Sequence, residues 1–136
     1  MTAGIVPWID KFHVCVLFGG RYRHFTFMRT GDARDTIVDW LVEHGVQQVA
    51  LATCEDGIDP IAKCLRHRAV DLYGIPLWFC LDIAAAASVR IRPRTLALVS
   101  VRAFILPAWQ PRLVPIFDHE HCEHHDGAMD PFDIPF

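Results

Sequence analysis

The chain has 136 residues, of which 52% are hydrophobic and 21% are charged; this suits one small domain with a core and excludes a globally disordered protein. No apolar run reaches the roughly 18 residues that a bilayer-spanning helix needs, and the first residues lack the pattern of a secretory signal, so we expect a cytoplasmic protein without a membrane partner. The net charge of −3 hides an asymmetry, because residues 1–115 carry all 13 basic residues and 10 acids, whereas residues 116–136 carry 6 acids and no base. The sequence therefore predicts a folded domain over residues 1–115 and an acidic tail over residues 116–136.

The first predicted element is a β-hairpin. Residues 12–18 are rich in β-branched and aromatic side chains, and residues 21–28 alternate in character. Gly19 and Gly20 lie between them, and a two-residue Gly-Gly turn is typical of a hairpin. The apolar residues 5–9 extend the first strand or precede it.

A helix and a strand are predicted next, followed by a second helix. Asp32 is the expected N-cap of the first helix, and Gly45 the residue at which it stops. Residues 46–51 indicate a buried strand. Asp59 and Pro60 have the residue types of an N-cap and a first helical position, so a short helix is expected through Leu65.

The second half of the chain gives weaker signals. Either residues 70–73 or residues 77–81 supply another strand, with residues 74–76 as an interruption. Residues 83–89 are alanine-rich and indicate a helix. The apolar residues 95–106 suit a buried strand or a helix, and hydrophobic periodicity does not distinguish the two. Three prolines, at positions 107, 111 and 115, then mark the exit from regular structure.

This order of elements predicts an α/β fold, in which helices pack on a sheet of mixed strand direction. An RNase H-like arrangement is the expected architecture. A ferredoxin-like sandwich or a flavodoxin-like fragment fits the pattern almost as well.

Several segments together resemble the N-terminal, RuvC/RNase H-like domain of the IS110-type transposases. Gly4-Ile5 followed by residues 12–17 resembles the opening "GID…hhVaxL" of that family. Trp40-Leu41-Val42, Gly45 and residues 49–53 are similar to "WL…G…VamEsT". Residues 92–99 resemble "R-x-K-T-D-A-x-D". The resemblance covers residues 4–103 and implies a role in DNA transposition, with DNA and a structured RNA as partners.

The resemblance also implies a metal centre, and here the sequence departs from the family. In such nucleases carboxylates from separate elements converge on Mg²⁺ ions, which stabilise the attacking and leaving oxygens of phosphate cleavage. The four acid positions of the family fall on apolar residues in this chain: Val6, Ala52, Leu96 and Val99. We therefore expect a truncated or degenerate copy that has lost nuclease chemistry and at most binds nucleic acid.

Shifted alignments offer other catalytic acids. Asp10 is the acid nearest to the first position, and Glu55, Asp56 or Asp59 could replace the second. Mg²⁺ would be the cofactor of any nuclease activity that remains. The alternative interpretation is that Asp10 is a turn residue and that the other three are loop and cap residues.

Candidate nucleic-acid contacts come from arginines in two segments. Arg66 and Arg68 are one pair, and Arg92 and Arg94 are the other. Guanidinium groups suit phosphate, although a solvated basic surface explains the same pattern.

The tail carries a separate metal-binding signal. Imidazole and thiolate are ligands for Zn²⁺ and Ni²⁺, and five such residues fall within seven positions: His119, His121, Cys122, His124 and His125. The second hypothesis is therefore a small metal- or cofactor-carrier protein. It resembles in outline the nitrogenase-cofactor accessory domains, although residues 17–20 lack the "HFG" ligand stretch. A structural subunit that docks through its apolar C-terminus, including as a homo-oligomer, is the third hypothesis.

Overall fold

The computed structural model describes residues 1–54, 57–87 and 90–116. Its elements, in chain order, are strands β1 (Thr2–Pro7), β2 (Lys11–Phe18) and β3 (Arg21–Met28), helix α1 (Gly31–Glu43), strand β4 (Gln48–Thr53), helix α2 (Ile61–His67), strand β5 (Asp71–Pro76), helices α3 (Leu77–Ala86) and α4 (Pro93–Arg102), a 3-10 turn (Gln110–Arg112) and strand β6 (Val114–Pro115).

The strands form one mixed sheet in the order β3-β2-β1-β4-β5-β6. β1, β4 and β5 are parallel and form its centre. β2 pairs antiparallel with β1, and β3 pairs antiparallel with β2. β6 is a short antiparallel addition at the opposite edge.

Two helical layers cover the two faces of the sheet. Alternate residues of β1 point to opposite faces, since the side chains of a strand alternate with a period of two. Ala3 and Ile5 pack in one cluster with α1 and α2. Val6 packs in a second cluster with α3 and α4. The domain therefore has two apolar cores, one on each side of the sheet.

Helix α4 lies directly on β1 at Gly4. A Cβ atom at Gly4 would come within 2.6 Å of the Ala97 carbonyl oxygen and 2.7 Å of the Val101 amide nitrogen. These are backbone atoms, which cannot rotate away as a flexible side chain can. Glycine at this position is therefore what allows the helix to approach the strand so closely.

The local signals of the first half are confirmed in most places. Gly19 and Gly20 form the hairpin turn with φ of 50° and 82°, and Gly45 follows α1 with φ of 82°. The N-cap of α1, however, is Thr30, so the prediction of Asp32 at that position is wrong by two residues. Of the two alternatives for the apolar residues 5–9, the structure confirms that they precede the hairpin: residues 5–7 belong to β1, a separate strand, and Ile9 lies beyond it, 86% exposed.

The second half resolves the alternatives that the sequence left open. β5 continues through the predicted interruption at residues 74–76, and the following residues 77–81 are helical rather than extended. The alanine-rich helix therefore begins at Leu77 and ends at Ala86. Residues 93–102 are helical too. The prolines do not end regular structure, because Pro115 belongs to β6, an edge strand, where a missing amide donor is tolerated.

No helix in the described part of the chain is long and apolar enough to cross a membrane. The predicted acidic tail falls almost wholly outside the described residues, which end at Ile116.

Candidate functional site

The four positions at which the resembling family carries acids lie in one apolar cluster. Val6 comes from β1, Ala52 from β4, and Leu96 and Val99 from α4. All four are buried between the sheet and the α3–α4 layer, with exposed fractions of 0%, 7%, 0% and 6%. The fold thus gathers the four positions from three separate elements.

These residues do not fit a magnesium site. Mg²⁺ requires oxygen ligands, and valine, alanine and leucine side chains supply none. The side chains instead pack in the core with Ile75, Phe79 and other apolar groups of the same cluster. These four side chains therefore have no oxygen atom with which to hold a magnesium ion.

Asp10, the replacement acid nearest to the first position, lies on the turn that joins β1 to β2. Its side chain is exposed, and its carbonyl oxygen accepts a hydrogen bond of 2.8 Å from the amide of Arg29. Glu55 and Asp56 lie outside the described residues. Their catalytic role, like that of Asp10, stays a prediction.

Asp59 is the only acidic residue that is buried in the described part of the chain, with 2% of its side chain exposed. Two arginines surround it. Arg29 donates to Oδ2 through Nε at 3.1 Å and Nη2 at 2.8 Å. Arg34 donates from Nε to Oδ1 at 2.9 Å and from Nη2 to Oδ2 at 3.1 Å. The Ile61 amide, the first of α2, donates to Oδ1 at 2.8 Å; the N-cap of this helix is Pro60, one residue later than the sequence predicted.

This cluster joins three parts of the chain. Arg29 follows β3 and also donates to the Trp8 carbonyl oxygen, whereas Arg34 belongs to α1. Both guanidinium groups lie over the Phe12 ring, at 5.7 Å and 5.4 Å from its centroid. The hydrogen bond from the first amide of α2 agrees with the alternative interpretation of Asp59 as a loop and cap residue. The two arginine partners were not predicted, because sequence spacing carries no signal for contacts across 25 to 30 positions.

The charge state of Asp59 follows from these contacts. Burial by itself would raise the pKa of the carboxyl group, but the hydrogen bonds from Arg34, Ile61 and Arg29 outweigh burial and lower the pKa. The group is therefore a carboxylate at neutral pH. Since its two oxygens already accept five hydrogen bonds, we interpret Asp59 as a structural anion.

A cavity of about 260 Å³ opens beside this cluster, at the carboxyl ends of β1 and β4. Its lining includes Pro7, Arg29, Ala52, Cys54 and Asp59. In open α/β sheets, ligands usually bind at the carboxyl ends of the parallel strands. The charged groups that line it are already paired with each other.

A second cavity, of about 440 Å³, lies on the α3 side of the sheet. Thr53, Gly74, Trp78, Leu81 and Val114 are among its lining residues, so it is mainly apolar. It lacks the convergent polar groups by which a binding site selects a small ligand.

The structure places the two predicted arginine pairs on opposite sides of the sheet. Arg66 and Arg68 lie on and just after α2, whose buried residues belong to the core shared with α1. Arg92 and Arg94 lie at the start of α4, whose buried residues belong to the other core. All four are exposed, but the two pairs do not form one continuous surface.

The predicted metal ligands at positions 119, 121, 122, 124 and 125 lie outside the described residues, so zinc or nickel binding there stays a prediction. Within residues 1–54, 57–87 and 90–116, no group of three or more His, Cys, Asp or Glu is placed to hold a metal ion.

The two buried thiols of the α3–α4 core, Cys15 and Cys80, are not activated as nucleophiles. Burial raises the pKa of Cys15 to about 12, although the nearby charge of Arg94 opposes that shift. Burial also raises the pKa of Cys80 to about 11. Both thiols therefore stay protonated at neutral pH, whereas a nucleophilic cysteine needs a lowered pKa.

Comparison with known proteins identifies the fold. No family model matches the sequence, and no curated protein matches it. Among solved structures, the chain is similar to RuvC of T. thermophilus in complex with a Holliday junction substrate. The TM-score is 0.55 at 12% identity, and the match covers 85% of this chain and 98% of that chain. The fold is therefore RuvC/RNase H-like, which confirms the architecture predicted from the sequence.

Proposed function

We propose that this chain is a nucleic-acid-binding domain with a RuvC-like fold that does not cleave DNA. The observation that carries this proposal is the apolar cluster at the four acid positions, Val6, Ala52, Leu96 and Val99. Cleavage by two metal ions requires carboxylates that hold both ions near the scissile phosphate. A buried hydrocarbon cluster cannot provide that charge.

DNA as the ligand is supported by the structural neighbour, which was solved with a Holliday junction substrate. The composition agrees, since residues 1–115 carry an excess of three positive charges and 11 of the 13 basic residues are arginine. Arginine forms bidentate contacts with phosphate, which suits a domain that holds a nucleic-acid backbone.

The origin that we propose is the N-terminal domain of an IS110-type transposase. The matches at residues 4–17, 40–53 and 92–99 support it, and the apolar residues at all four acid positions of the family are consistent with a copy no longer selected for transposition. Remnants of a longer transposase reading frame in the flanking genomic DNA would support this origin. Flanking DNA without any such remnant would count against it.

The test of function combines binding and cleavage on one substrate. The full chain is titrated into a labelled four-way DNA junction at several salt concentrations, and the products are then examined after incubation with Mg²⁺ or Mn²⁺. We expect binding that weakens steeply with salt, binding in EDTA that does not require Mg²⁺, and intact DNA. Absence of binding at low salt would refute the proposed ligand. Metal-dependent products that disappear in Asp10→Asn or Glu55→Gln would refute the loss of chemistry.

A further inference from the structure

The charges of the two helical layers are unequal. On the α1–α2 side, residues 29–45 and 57–70 carry five basic and five acidic residues. On the α3–α4 side, residues 77–87 and 90–106 carry four arginines and a single acid, Asp82. The segments of the α1–α2 layer are thus electrically neutral, and those of the α3–α4 layer carry an excess of three positive charges.

We propose that nucleic acid binds to the α4 face, which we define as Lys11, Arg90, Arg92 and Arg94, rather than to the arginines that follow α2. This inference rests on the proposed function and adds the surface at which that function is carried out. A nucleic-acid backbone is recognised chiefly by basic side chains that neutralise its phosphates, so it favours the side on which acids do not compete for them.

Arg94 of helix α4 lies on the same side of the sheet as part of strands β2 and β3. Burial, and then the charge of Arg94, lower the pKa of His24 on β3, and the same arginine acts on Cys15 of β2. Helix α4 packs against both β1 and β2, and Cys15 lies in the same core as Leu96 and Ala97 of that helix. Lys11 has the same orientation as Cys15, since the two are an even number of positions apart on β2, and it is exposed. The basic groups thus extend from the start of α4 onto the sheet.

Of the arginines in the two predicted pairs, only Arg68 is paired with an acid; Arg66, like the α4 arginines, makes no ion pair among the described residues. Among the described residues, Arg90, Arg92 and Arg94 are exposed and make no ion pair within 4.0 Å. Arg68, by contrast, makes an ion pair with Asp39 of α1. A phosphate would have to compete with a carboxylate for Arg68, whereas the α4 arginines need not exchange one anion for another.

Two double variants with equal changes in charge test this inference. Arg92→Ala/Arg94→Ala and Arg66→Ala/Arg68→Ala are each titrated into the labelled four-way junction, and circular dichroism confirms that both remain folded. We expect the first variant to bind about tenfold or more weakly and to lower the salt slope by about 2. We expect the second to stay within about twofold of the wild-type affinity. Equal weakening by the two variants, or weakening by the second alone, would overturn the inference.

A footprint of the unaltered chain gives a measurement that does not depend on the folding of a variant. Arginines are modified with a phenylglyoxal reagent with and without the DNA junction, and the modified peptides are quantified by mass spectrometry. Protection of Arg90, Arg92 and Arg94 without protection of Arg66 supports the α4 face, and the reverse pattern refutes it. Wild-type protein that binds no DNA at low salt refutes the proposed function itself, whereas binding through the α2 side refutes only this surface.

Discussion

Replacement of Asp59 by asparagine should be one of the most destabilising conservative changes in this domain. The carboxylate accepts four hydrogen bonds from Arg29 and Arg34 and one from the Ile61 amide, with almost no exposure to water. Asparagine keeps the size of the side chain and one oxygen for the Ile61 amide. It removes the negative charge, however, and its amide group directs N–H donors at guanidinium groups that are donors themselves.

The magnitude follows from the exposure of the partners. Removal of one member of a buried ion pair typically costs about 3–5 kcal/mol, because the remaining charge is left without compensation. The side chains of Arg29 and Arg34 are 30% and 20% exposed, so water recovers part of that loss. We expect the free energy of unfolding to fall by about 2–4 kcal/mol. For a domain of this size this lowers Tm by roughly 10 °C.

Urea denaturation at neutral pH, followed by circular dichroism, measures this change, and Asp71→Asn is the matched control. Asp71 is also an aspartate at the edge of a regular element, but it is exposed. Its substitution should change the free energy of unfolding by less than about 0.5 kcal/mol. A loss for Asp59→Asn no greater than that of the control would refute our interpretation of the cluster.

The pH dependence provides a second check with a definite sign. Because the pKa of Asp59 is lower in the folded state than in the unfolded chain, the carboxylate contributes stability above the unfolded value of about 3.9. That contribution is lost as the pH falls through the folded value. The difference in stability between the wild type and Asp59→Asn should therefore be full at pH 7 and shrink below about pH 4. A difference that is constant over this range would show that charge is not its cause.

Three further predictions concern the α3–α4 core. Gly4→Ala should lower the free energy of unfolding by about 3 kcal/mol or more in urea denaturation, since the new methyl group would overlap the α4 backbone; a loss below about 1 kcal/mol would contradict this packing. Val6→Asp should lower the free energy of unfolding more at pH 8 than at pH 4. Burial raises the pKa of the new carboxyl group, so the loss of stability grows as the pH rises towards that raised pKa. Val6→Asn, the uncharged control, should show no such pH dependence. In the folded protein at pH 8, iodoacetamide followed by peptide mass spectrometry should label the exposed Cys54 well before Cys15 or Cys80, and equal labelling rates would refute the burial that raises the pKa of both buried thiols.

The elements that could be predicted from the sequence are those whose signals are local. A two-residue hairpin turn requires positive φ, which Gly19 and Gly20 adopt without steric cost. Gly45 follows a helix with positive φ for the same reason. Asp59 accepts a hydrogen bond from the first amide of α2, which is only two positions away. Each of these features depends on the chain within a few residues, so hydrophobic pattern and turn chemistry are sufficient to find it.

The secondary structure is ambiguous from the sequence in segments whose residues are almost all apolar. Residues 77–81 are a candidate strand, and residues 95–106 suit either a strand or a helix, because a segment buried against a sheet loses the alternation that distinguishes the two. In the folded domain residues 77–86 and 93–102 are both helical. Helix α4 fits against the sheet because Gly4 has no side chain at the point of contact. No property of those segments taken alone contains that information.

The sequence by itself determined the hairpin, the alternation of helices and strands, and the apolar residues at the four positions where the transposases that it resembles carry acids. The tertiary structure decided which groups meet. It gathered Val6, Ala52, Leu96 and Val99 into one buried cluster, and it separated Arg66 and Arg68 from Arg92 and Arg94 by the thickness of the sheet. The physical reason is that the order of all strands and crossover connections sets the side of the sheet on which a helix packs. The residues of the helix itself do not determine that order alone.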